Sequence, residues 1–175
     1  MPHPLFAQHQ ALLDKALSAI ESRGYWSAFT EMPSPKAYGE TANDAGKAAF
    51  EARLGKRFDL DQPGVEGEVG GEVSPFGPEI NIRYPHSDPG ALISAAQHAI
   101  HSWRAAGPEA WVGVALETLV RLNRSSFEMA YAVMHTTGQA FMMAFQAGGP
   151  HAQERGLEAV AYAWQQMRLV PQSAV

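Results

Sequence analysis

From Asp88 to Leu169 the apolar residues recur at helical spacing, and the run breaks only where glycine punctuates it. The breaks are Gly107-Pro108, Thr137-Gly138 and Gly148-Gly149-Pro150. Glycine ends a helix because it enters the left-handed region without penalty, and proline restarts one because its fixed φ suits the first helical position. A series of helices is therefore predicted. The first opens on Asp88 as its cap with Pro89 behind it, and turns Leu92, Ile93, Ala96, Ile100 and Trp103 to one side. The next carries Val112, Ala115, Leu119 and Leu122. Ser125 and Glu128 form a capping box ahead of Met129, Ala132 and Val133. A last helix is predicted from about His151 to Leu169.

The first half of the chain is less regular. Leu5, Phe6, Leu12, Leu13, Leu17 and Ile20 share a face of a helix running to Arg23, with Gly24 as its left-handed end. Tyr25, Trp26 and Phe29 are expected to tuck the following turn onto the core. A shorter helix over Thr41 to Leu54 ends at Gly55, and residues 56–65 read as a linker. The period then becomes two. Val69, Gly71 and Val73, then Ile80, Ile82 and Tyr84, predict two strands around Ser-Pro-Phe-Gly-Pro, with one face half buried.

With 175 residues, 46% of them apolar and 18% charged, the chain is long enough for a packed core and too apolar for a disordered tail. Thirteen basic against 18 acidic residues, with no basic stripe, argue against a nucleic-acid partner. No apolar run reaches the length of a membrane span, and the opening Met-Pro-His-Pro-Leu-Phe lacks the pattern of a secretion signal. The expectation is a cytoplasmic protein. The absence of cysteine excludes disulfides, thiolate metal sites and a thiol nucleophile within these residues.

Candidate chemistry is sparse. His98 and His101 sit three apart on a predicted helix, but zinc needs a third ligand and none lies on that face. His135 and His151 fall at helix ends, where an imidazole satisfies backbone groups. Glu66, Glu68 and Glu72 alternate along a strand as a solvated face does, and Asp59 and Asp61 lie in the linker. Gly64, Gly67, Gly70 and Gly71 do not fit the dinucleotide fingerprint, and no phosphate loop or nucleophile elbow occurs. Met142 and Met143 are expected to fill a helix seam rather than a ligand cleft. No catalytic, cofactor-binding or metal-binding residue is assigned.

The order of elements carries more information. An extended pair ending in Tyr84-Pro85 precedes a helix with Ala95-Ala96 and Trp103, then one with Arg121-Leu122, then one with Phe127-Glu128-Met129-Ala130. This resembles the amino-terminal segment of the aldehyde dehydrogenase superfamily. Where that superfamily has a glutamate-threonine-glycine-lysine motif, this chain reads Thr136-Thr137-Gly138-Gln139, so two of four positions depart. Two stretches sharpen the likeness: Gly24 to Thr41, and His135 to His151. Both are similar to PaaN, the phenylacetic acid degradation branch, and the resemblance runs from His3 to Leu169.

The resemblance implies a mostly helical chain with a small β-hairpin, an incomplete portion of an α/β fold. Residues 1–65 would be a family-specific helical extension, and 66–175 the start of a truncated coenzyme-binding domain. In that family a cysteine thiolate attacks the aldehyde, hydride passes to NAD or NADP, and water activated by a glutamate releases the acid. The substrate implied is an aldehyde made by ring opening of a coenzyme A-linked aromatic acid. None of these catalytic parts is expected within the chain, so its cofactor is none, with NAD or NADP implied for a full-length protein. The implied partners are the remainder of the fold and, when complete, further copies, with residues 171–175 approaching the hairpin that joins subunits. Trp103, Trp111, Met129, Met142, Phe145, Val160 and Trp164 form wide stripes that the small local sheet is too short to cover. The rival reading is a standalone helical module that binds a protein or apolar ligand without catalysis.

Overall fold

Pro4 sets the first turn of α1 (Pro4–Ser22), the opening element of a computed structural model that describes residues 3–170. The expectation for 171–175 lies outside the described residues. One face of α1 buries Phe6, Leu13 and Leu17 against the second half of α4 (Pro89–Arg124) and against α7 (Pro150–Met167). The approach of α1 to α4 is close. A Cβ at Gly113 would stand 2.6 Å from the Phe6 backbone nitrogen, so only glycine lets the two helices meet there. Val112, Leu116, Leu157 and Phe29 complete this first core, with Trp26 and Trp164 half-buried beside it. Tyr25 departs from the expected tuck: it is 98% exposed, because the helix ends before it and only Trp26 and Phe29 turn inward.

A second, aromatic core joins α3 (Ala42–Glu51), α5 (Ser126–Thr137) and α6 (Phe141–Gly148). Phe127 and Phe145 lie 4.9 Å apart between ring centroids, and Tyr38 of the single-turn α2 (Pro35–Tyr38) meets both edge-on. Ala144 and Phe145 fill the seam, whereas Met142 and Met143 face outward, contrary to the seam-filling expectation. The reason is helical geometry: the residues at 141, 144 and 145 face α5, and that turns 142 and 143 away.

Several boundaries differ from the sequence reading. The left-handed end of α1 is Arg23 (φ 52°), not Gly24, because the Arg23 and Gly24 amides bond back to Ile20 and Ala19 one residue earlier. Ser125 stands at the start of α5 without a side-chain capping bond. Its φ of −98° and ψ of 11° lie outside the extended region that capping residues use, and Glu128 turns to Arg53 instead of completing a box. Residues 56–65 are not a free linker. Phe58 N–H donates to the Arg83 carbonyl at 2.7 Å and Arg83 N–H to that of Lys56 at 3.0 Å, a short parallel bridge.

The hairpin also shifts outward. The paired strands are β1 (Val65–Val69) and β2 (Tyr84–Ser87), antiparallel with a bulge near Val65. Asn81, at φ 45°, breaks the extension between Ile80 and Ile82, leaving the expected inner pair only a bridge from Val73 to Glu79. Every residue of β1 is exposed, so the predicted half-buried face is absent from this strand. Burial falls on Ile80, Ile82 and Pro85 instead.

Gly107 (φ 80°) and Pro108 divide α4 as predicted, and the Asp88 carboxylate accepts from the Gly90 and Ala91 amides at 3.2 and 2.9 Å. The two halves are unlike in their surroundings. Ala110, Val112, Gly113 and Leu116 are buried, whereas no residue from Pro89 to Ala106 is.

Candidate functional site

Several polar arrangements link distant segments, and three of them centre on Glu117, Glu154 and His135. In the first, His9 Nε2 lies 2.6 Å from Glu117 Oε2, and Arg121 Nε donates to Glu117 Oε1 at 2.6 Å. The guanidinium of Arg121, and then His9, hold the Glu117 carboxyl below the usual carboxylate range. Both oxygens are engaged, so Glu117 fastens α1 to α4 and is unsuited to carry protons at neutral pH.

The second centres on Glu154. Its Oε1 accepts from Ala28 N–H at 2.7 Å, Phe29 N–H at 2.6 Å and Ser27 Oγ at 3.0 Å. A charged acceptor on two backbone amides is a strong tie, and it seats the 24–30 turn on α7. No sequence signal marked Glu154, since its partners lie about 126 residues away.

The third pairs Ser74 Oγ with His135 Nδ1 at 2.7 Å. The imidazole stacks on Phe50, 5.0 Å between centroids, and burial pushes its pKa below the usual histidine value. A hydroxyl on an imidazole is the beginning of a nucleophile–base pair. Here no carboxylate hydrogen-bonds the other ring nitrogen among the described residues, and Ser74 is buried while it also accepts from Phe76 N–H. The pair anchors the hairpin loop to α5.

The other sequence candidates do not converge. His98 Nδ1 lies 2.7 Å from the Ser94 carbonyl, and no group of three metal-ligating side chains gathers among the described residues. Glu68 pairs with Arg57 and Arg83 on the exposed hairpin. At the α4 kink a crevice of about 610 Å³ opens between Arg104, Gly107, Trp111, Trp164 and Arg168.

No family model matches the chain, and no curated protein matches it. The solved structures are more informative: the chain has the fold of one part of an aldehyde dehydrogenase. The similarity is to the crystal structure of an NAD-dependent aldehyde dehydrogenase from Burkholderia multivorans, at 65% identity and a TM-score of 0.93. It takes in 99% of this chain but spans only 31% of that protein's length.

Proposed function

We propose that this chain is the amino-terminal segment of a PaaN-like aldehyde dehydrogenase, and that it acts as scaffold rather than as catalyst. The single observation that carries the reading is 65% identity, over 99% of the chain, to part of an NAD-dependent aldehyde dehydrogenase. The Gly24–Thr41 and His135–His151 regions, which carry the resemblance to the phenylacetic acid degradation branch, support the finer assignment. In this reading the complete protein oxidises an aldehyde derived from ring opening of a coenzyme A-linked aromatic acid, with NAD or NADP as hydride acceptor. Residues 1–65 form the branch-specific extension and 66–175 begin the coenzyme-binding domain.

The contribution of these residues is structural. The three ties at Glu117, Glu154 and His135 hold α1, the 24–30 turn and the hairpin loop in register. The chain has no thiol to form the covalent adduct on which this family's chemistry depends. One observation favours the rival standalone module: two cores close without outside help.

A hybrid separates the two readings. Replacing the matched 31% of the Burkholderia protein with this chain should give a folded protein with aldehyde-dependent NAD reduction. The isolated chain should show none with any aldehyde. Turnover by the repurified isolated chain, or a hybrid that folds but never turns over, contradicts the proposal.

A further inference from the structure

We infer that the first half of α4, residues 89–106, is the seat on which the rest of an aldehyde dehydrogenase fold docks. The inference rests on the reading above and assigns the surface through which this chain meets the remainder.

The composition of this stretch is wrong for a helix facing water. Among the 18 residues from Pro89 to Ala106 only Arg104 carries a formal charge. Leu92, Ala96, Ile100 and Trp103 recur at steps of four, four and three, which places them along one side, with Ile93 adjacent. All five are exposed, Ile93 at 58% and Trp103 at 46%. A helix of this length that buries nothing is marginal in water, because helices in proteins draw most of their stability from a packed apolar face. The Asp88 cap fixes its start but adds no burial.

The neighbouring hairpin shows the same deficit. Val65 and Val69 are exposed on β1, every position of which faces solvent, and a lone two-stranded hairpin is itself marginal. Gly64 and Asp88 join the two features, through the Asp88 amide donating to the Gly64 carbonyl at 2.8 Å. The hairpin and the first half of α4, joined at Gly64 and Asp88, thus both leave apolar side chains uncovered.

The occupant follows from the length of the solved relative. That protein matches nearly all of this chain and carries more than twice as much polypeptide again. The cores of this chain are closed without residues 89–106. The surplus apolar surface therefore belongs to a contact with the unmatched part, whether continuous with this chain or supplied separately.

The test compares one double variant, Ile93→Asp with Ile100→Asp, in two settings. In the isolated chain it should move the unfolding midpoint by no more than about 2 °C, since neither side chain is packed. In the hybrid with the Burkholderia remainder it should lower the midpoint by roughly 5 °C or more and reduce the yield of folded protein, because two carboxylates would be buried unpaired. Tyr25→Asp, on the exposed turn, should be neutral in both. A hybrid that folds, turns over and tolerates the double variant overturns the assignment of the face and leaves the enzyme reading standing. An unsubstituted hybrid that fails to fold overturns both. An isolated chain that sediments as a dimer, dissociated by the double variant, makes a second copy the occupant and also overturns the inference.

Discussion

The two halves of α4 carry apolar residues at the same helical spacing and meet opposite fates. Residues 108–124 bury Ala110, Val112, Gly113 and Leu116 between α1 and α7, and their Glu117 is held by His9 and Arg121. Residues 89–106 bury nothing and have almost no charge to solvate. An apolar stripe therefore states that a helix needs a partner without stating which. The polar residues on the other faces tell more: where they pair across segments, the partner lies within the chain.

The largest expected effect that sharpens this contrast is a truncation in each half. Leu116→Ala removes a side chain with 0% exposure and should cost about 2–5 kcal/mol in urea unfolding. Ile100→Ala in the isolated chain should stay within about 0.5 kcal/mol. Equal losses at the two sites would break the comparison.

Glu154→Ala should come next, at about 1.5–3 kcal/mol, since it removes the charged acceptor from two backbone amides and a hydroxyl. The turn carrying Trp26 should loosen, read as a red shift of tryptophan emission. An unchanged midpoint would show that the turn is held by Phe29 and Trp26 alone.

The smallest effect is a pH slope. Burial lowers the His135 pKa from 6.5, so the native state keeps a neutral ring where the unfolded state is protonated. Stability should therefore fall as pH drops from about 6.5 through the lowered value, and level off below it. Glu117, lowered from 4.5, contributes in a separate, more acidic window. His135→Phe, which keeps the stack on Phe50, should remove the upper slope. Persistence of that slope in the variant would assign it to another histidine.

Much of the helical order was legible because glycine and proline act locally. Gly107-Pro108 and Gly138 mark real breaks, and Asp88 caps as its sequence context suggests. The hairpin was displaced because alternation does not register Asn81 entering the left-handed region between two isoleucines. Ser125 matched a capping pattern, but Glu128 found Arg53, a partner 75 positions away that no local pattern encodes. The Glu154 tie was invisible for the same reason. The apolar stripes were visible, yet their fates were not: Phe145 is fully buried, Trp111 and Trp164 are half-buried, and Trp103 stays exposed.

Amide hydrogen exchange tests most directly the claim that α4 is half core and half interface. In the isolated chain, residues 89–106 should exchange about 100-fold faster or more than residues 110–120, because only the latter are locked by α1 and α7. In the hybrid with the Burkholderia remainder, protection at 89–106 should rise to approach that of the core. Equal protection of both halves in the isolated chain, or no gain at 89–106 in the folded hybrid, would contradict the account.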